Sequence, residues 1–142
     1  MYLDNCCFNR PFDDQTQLRI NLESQAKLAV QAMILNKEHS LVWSYMLEYE
    51  NEQNPYELRK DSIIKWKELA TTRVEESESI LTNAEKLLAV GIKPKDAIHI
   101  ACAAEANCDY FLTTDKGILK KNIDLVRVVN PLDFIKEMEE SE

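Results

Sequence analysis

The stretch from Pro94 to Asp115 constrains this chain most. It reads as a helix and then a strand, with an acid in the first turn of the helix and another just past the strand. Pro94 suits the first helical position, where a missing N–H costs nothing. Ala97, Ile100, Ala101 and Ala104 recur at helical spacing, and Asn107 suits a left-handed residue after the helix end. Tyr110 to Thr114 then reads as a short buried strand, with Asp115 at its carboxyl end. In an open parallel sheet, ligands bind outside the carboxyl ends of the strands. An acid there, facing another from the preceding helix, is a candidate metal site.

The rest of the chain repeats this alternation. Met1 to Asp4 is too short for periodicity to assign, and Asp4-Asn5 is a strand-terminating pair; Asn9 to Gln15, with Pro11, is a loop or short turn. Gln17 to Asn36 predicts a long amphipathic helix with Leu18, Leu22, Ala26, Ala29 and Met33 on one face and an Arg19, Glu23, Lys27 ladder towards solvent. Ser40 to Ser44 is a second strand, and Ser44 caps a helix that holds Glu48. Asn54-Pro55-Tyr56-Glu57 opens another helix, running to about Ala70, before a weak strand over Thr71 to Glu75. Ser77 caps a helix closed by Gly91. After Asp115 follow a short helix at Lys116 to Lys121, a last strand over Leu125 to Val129, and a capped helix from Asn130-Pro131. Strands alternating with helices, without a tight hairpin, predict an α/β fold: a three-layer α/β/α sandwich around a roughly five-stranded parallel sheet.

Length places residues 1–142 in a single domain, with 137–142 as an acidic tail expected to fray. No apolar run approaches the roughly 20 residues of a membrane span, and Met1-Tyr2-Leu3-Asp4 has no basic, apolar leader, so the expected location is the cytoplasm. Cys6, Cys7, Cys102 and Cys108 lack zinc-ligand spacing and read as free thiols. The net charge of −8 disfavours nonspecific attraction to nucleic acid, so any such role must rest on a local site.

That site is acidic. Asp4, Glu48 and Asp115 each follow a strand, Glu48 through a turn of helix, and Asp96 adds a fourth acid. Four converging carboxylates repel unless a cation lies between them. Hard divalent ions such as Mg²⁺ or Mn²⁺ take oxygen ligands and keep several waters. Such an ion activates water and polarises a phosphodiester, which is the physics of a metal-dependent nuclease. Each acid also has a structural reading: Asp96 complements a helix dipole, Asp115 caps a helix, Asp4 ends a strand in an Asx-turn, and Glu48 lies on an exposed face beside Glu50 and Glu52. Other chemistries lack their residues. Cys6 occupies the position where a haloacid-dehalogenase phosphatase needs its second acid, and there is neither a G-x-S-x-G elbow nor a G-x-x-x-x-G-K loop.

Tyr2-Leu3-Asp4-Asn5, Glu48 after a strand, Lys95-Asp96-Ala97-Ile98-His99-Ile100-Ala101 and Leu112-Thr113-Thr114-Asp115 together resemble a PIN domain over essentially the whole chain. That family comprises metal-dependent ribonucleases, including the VapC-type toxins of toxin–antitoxin pairs. The resemblance implies an endoribonuclease that hydrolyses RNA phosphodiesters with Mg²⁺ or Mn²⁺ held by Asp4, Glu48, Asp96 and Asp115. It places Thr114 beside the metal, with Asn5 able to hydrogen-bond Asp4, and it implies a homodimer and an antitoxin partner. His99, one turn after Asp96 on an alanine-rich helix, reads as a packed residue supporting the ligands rather than a general base. Arg10, Lys95 and Lys116 lie near the site in sequence and are candidate phosphate contacts. Asn5 stands where many members have Thr or Ser, no acid closely follows Asp115, and the Cys6 to Asp14 run is unlike the usual toxin start. The rival reading is a PIN scaffold that binds a protein partner with little or no catalysis.

Overall fold

A computed structural model describes residues 1–141. Five short parallel strands form one sheet: β1 (Tyr2–Leu3), β2 (Val42–Ser44), β3 (Thr72–Val74), β4 (Tyr110–Leu112) and β5 (Arg127–Val129), in the order β3-β2-β1-β4-β5. The strand count, parallel pairing and α/β class are those the sequence predicts. Tyr2 pairs with Val42 on one side and Phe111 on the other, so β1 is central. Apolar residues buried on both faces explain why such short strands suffice: Tyr2, Leu3, Trp43, Phe111 and Leu112 all lie in the core.

The connections determine where a ligand can sit. From β1 the chain passes through α1 (Asn5–Asn9), a 3₁₀ turn (Arg10–Phe12) and α2 (Leu18–Leu35) to β2, then through α3 (Tyr45–Glu52) and α4 (Glu57–Leu69) to β3. It then returns past β1, through α5 (Glu78–Ala89) and α6 (Pro94–Glu105), to β4, and through α7 (Lys116–Leu119) to β5. Right-handed crossovers running in opposite directions put these two groups of helices on opposite faces. The strand order reverses between β1 and β4, and the carboxyl ends of those strands flank the resulting crevice. Asp4 and Asp115 follow them.

Local signals explain most helix ends. Ser44 and Ser77 accept from backbone N–H groups three residues on, Asn130 accepts from Leu132 N, and Pro94 and Pro131 open their helices. Asn107 is left-handed at φ 54°, as its position predicts, and Gly91 supplies φ 90° after α5.

One element is new and two expectations are corrected. A helix, α1, begins directly after β1, with Asp4 accepting from Asn5 N at 2.8 Å as its cap. The acidic end is helical as far as Glu140: α8 (Pro131–Glu140) covers it, Glu137 pairs with Arg127, and Glu142 lies outside the described residues. The second correction concerns α2, which is rotated about its axis: Ala26 is buried and Met33 packs against the core as predicted, but the Arg19, Glu23, Lys27 edge turns inward with them. Glu23 is fully buried and Lys27 only 3% exposed, whereas Leu18, Leu28 and Leu35 face solvent. Glu23 is held by Arg10 and Arg19, each at 3.2 Å, and by Asn130 at 2.5 Å. Lys27 Nζ lies 5.4 and 5.5 Å from the ring centroids of Phe8 and Trp66. Pairing and cation–π contact make burial of this charged edge tolerable, and the leucines are left outside.

Candidate active site

At the crevice, Asp4 is 5% exposed and fixed on both oxygens. Oδ1 accepts from Asn5 N at 2.8 Å, and Oδ2 accepts from the Thr113 hydroxyl at 2.8 Å, with Cys6 Sγ at 3.4 Å. Thr113 Oγ1 also accepts from Asp115 N at 3.1 Å, so one hydroxyl ties the ends of β1 and β4 together. Asp115 is exposed and caps α7 through Oδ1, which accepts from Gly117 N at 2.7 Å. Asp96 sits in the first turn of α6, beside a cleft of about 130 Å³ that Asp115, Lys93 and Lys121 also line. Burial, and then the charges of Asp4 and Asp115, push its carboxyl up to about 6, with Glu50 adding to the rise. The charge of His99 opposes the rise without cancelling it, because like charges crowded at one place disfavour the ionised acid.

The fourth acid at this site is Glu50, not Glu48. Glu48 points away, accepting from Trp43 Nε1 at 2.8 Å and pairing with Lys67 Nζ at 2.9 Å. It lines a separate cleft at the ends of β2 and β3. The two residues lie some 200° apart around α3, so only one of them can face α6. Glu50 does: its Oε1 meets His99 Nε2 at 2.6 Å, and its Oε2 accepts from Asn5 Nδ2 at 3.2 Å. One signal for it was present in the sequence. Glu50 stands four residues after Met46, which lies on the buried face of α3, whereas Glu48 lies on the flank.

His99, fully buried, continues this pairing into the core. Its Nδ1 lies 2.5 Å from the Tyr2 hydroxyl, which lies 2.6 Å from Ser44 Oγ. Burial lowers the pKa of His99, but the hydrogen bond to Glu50 and the charges of Asp4, Glu50 and Asp96 outweigh it, and the net shift is upward. Burial raises Glu50, but its bonds to His99 and Asn5 and the charges of His99 and Lys95 outweigh that, and the net shift is downward. A protonated imidazole satisfies the whole chain: Nε2–H donates to Glu50, Nδ1–H to Tyr2, and Tyr2 O–H to Ser44. Burial keeps the Tyr2 hydroxyl protonated for that role.

The remaining predicted residues are distributed as follows. Asn5 lies in the site and bonds Glu50 through its side chain, while Thr114, buried, offers a hydroxyl without a partner. Thr113 and Cys6, which sequence reasoning passed over, are the side chains that touch Asp4. Arg10 is not a phosphate contact: its guanidinium is committed to Asp13 and Glu23, each at 3.2 Å. Lys95 is exposed beside Asp96, with Nζ 5.9 Å from the Tyr49 ring centroid, and Lys116 is exposed at the start of α7.

Among the described residues no three His, Cys, Asp or Glu side chains are placed so as to hold a metal ion directly. The donor set nevertheless suits a hydrated divalent cation. The four acids offer hard oxygens, Asp96 forms no salt bridge with any described residue, and Asn5 Oδ1 and Thr114 Oγ1, on residues that directly follow Asp4 and precede Asp115, are buried without partners.

The family model of the PIN domain matches residues 1–123. The chain belongs to the PIN domain family. PIN domains are in general nucleases that use divalent metals. Among solved structures, FitAcB from Neisseria gonorrhoeae is similar at a TM-score of 0.60 and 16% identity, covering 92% of this chain and 96% of that one. At that identity the likeness speaks for the fold. No curated protein matches the chain significantly. No helix among the described residues is long and apolar enough to cross a membrane.

Proposed function

We propose that this PIN domain is a cytoplasmic endoribonuclease that hydrolyses RNA phosphodiesters with Mg²⁺ or Mn²⁺. The observation that carries this reading is the convergence of Asp4, Asp96, Asp115 and Glu50 at the switch point, where Asp96 forms no salt bridge with any described residue and burial, with the carboxylates around it, outweighs the opposing charge of His99. Asp4, Asp96 and Asp115 would hold the ion, directly or through its waters, with Glu50 as the fourth acid. When bound, the ion lowers the pKa of a water and offsets charge on the scissile phosphate. The chain's own groups do the rest. Thr113 and the Asn5 N–H hold Asp4 in one orientation, and His99 with Asn5 does the same for Glu50. Asp115, with Oδ1 occupied by the cap, keeps its other oxygen free to orient an attacking water.

Asp96→Asn removes the acid with the strongest electrostatic demand for a cation and keeps the side-chain shape. Cleavage of a generic RNA in Mn²⁺ should fall by at least about a hundredfold, with circular dichroism unchanged. Wild-type rates in that variant would sink the assignment.

A second reading is a PIN scaffold with weak or no catalysis that acts through a protein partner, such as the antitoxin of a toxin–antitoxin pair or a second copy of the chain. The outward leucines of α2 favour it, since Leu18, Leu28 and Leu35 are more than half exposed. A metal-independent complex formed by a protein with no RNA cleavage would support this reading over the first.

A further inference from the structure

The proposed nuclease site requires RNA to approach a protein of net charge −8 at its most acidic crevice. Something local has to hold the strand. Tyr49 and Lys95 meet at the rim of that crevice, each immediately preceding a site acid: Tyr49 before Glu50 on α3, and Lys95 before Asp96 on α6. Tyr49 is 50% exposed, and the Lys95 ammonium stands 5.9 Å from its ring centroid. The Glu50–His99 bond joins these two helices next to the pair, so the backbone positions that carry ring and cation are set relative to the acids.

We infer that Tyr49 and Lys95 form a subsite for single-stranded RNA, the ring stacking an unpaired base and the ammonium neutralising its phosphate. The inference rests on the nuclease reading of the adjacent acids. An exposed ring paired with a cation is the local chemistry that holds an unpaired base without sequence readout. The strand has a continuation. Tyr45 is one turn earlier on the same side of α3 and lines a second cleft, of about 220 Å³, with Lys67 and Arg73. That cleft also holds Glu48, paired with Lys67, and Glu75, so Arg73 is the cation a strand leaving Tyr49 along the carboxyl edge of the sheet would meet there. A double helix cannot present a base to an isolated ring, so duplex RNA should be excluded.

The test uses a 12-nucleotide single-stranded RNA carrying 2-aminopurine, with Asp96→Asn as the non-cleaving background. Binding should quench the fluorophore. Tyr49→Phe should keep both quenching and affinity, while Tyr49→Ala should lose quenching and weaken binding about tenfold or more. Lys95→Ala should reduce the slope of log affinity against log salt by about 0.7. Unchanged binding in Tyr49→Ala, equal affinity for a duplex of the same length, or no binding of either RNA would each overturn the subsite. Cleavage assays separate this from the reading beneath it. Asp96-dependent cleavage with an unchanged KM in Tyr49→Ala leaves the nuclease standing and removes the subsite. Tyr49-dependent binding without any cleavage does the reverse.

Discussion

His99 makes two hydrogen bonds and touches no solvent, so burial, its bond to Glu50 and the nearby carboxylates set its charge. Its folded pKa is raised, so the stability it contributes is complete below about 6.5 and is lost as pH rises through the folded value. Glu50 is lowered, and its contribution is complete above about 4.5 and is lost as pH falls through its folded value. The pair therefore produces a stability plateau between those limits. Glu50→Gln removes the charge but keeps an oxygen at the same reach. Burial then acts on His99 with less opposition, and its pKa should fall, read by NMR titration of the imidazole Cε1–H. Stability near pH 6 should drop by about 2 kcal/mol, because a buried cation loses its counter-charge. An unmoved His99 titration would mean that Asp4 and Asp96, not Glu50, hold its proton.

At the level of elements, α6 and its flanks were legible because their signals are local: Pro94 at the first helical position, Asn107 at the end, and a buried run after it. α1 was not. Five residues carry no helical period, and its cap is the same Asp4 that reads as the end of a strand. The facing of α2 failed for another reason. Leu18 and Leu22 recur at helical spacing, and so do Arg19, Glu23 and Lys27, so the pattern offers two faces. The choice between them rests on Arg10, Asn130, Phe8 and Trp66, which are remote in sequence. Glu48 and Glu50 differ in the same way, since helix rotation against His99 selects between them. The burial of Lys27 has a measurable cost. Burial lowers Lys27 from 10.5 to about 8, so the unfolded chain binds more protons across that window and stability rises with pH through it. Lys27→Met fills the same space without charge. It should stabilise the protein at pH 7 by about 1 to 2 kcal/mol, the lost cation–π contacts offsetting part of the gain. Thermal unfolding at pH 10.5 should show little of that difference. Destabilisation at both pH values would show that the ammonium holds α1 and α4 together.

For the whole molecule, parallel topology and surface charge work against each other at one place. The sheet order brings the carboxyl ends of β1 and β4 together, and the chain puts acids there although its net charge is already −8. Asp96 registers the result. Its folded pKa of about 6 lies above the ordinary 3.8, so between those values the native state binds more protons than the unfolded one. Stability falls as pH rises through that window, and above it the ionised crevice carries the full cost. A cation that binds only the folded, ionised site reverses this by mass action, adding about 2.7 kcal/mol at a hundred times its Kd. Mn²⁺ should therefore raise the midpoint of thermal unfolding by several degrees at pH 7.5 and barely move it at pH 4.5. Calorimetric titration at pH 7.5 should give saturable binding that disappears in Asp4→Asn/Asp96→Asn. That double variant, relieved of the repulsion, should unfold at a higher temperature than the metal-free wild type at the same pH. A metal response of equal size at both pH values, or one that survives the double substitution, would locate the ion elsewhere and leave the crevice acids as caps and dipole partners.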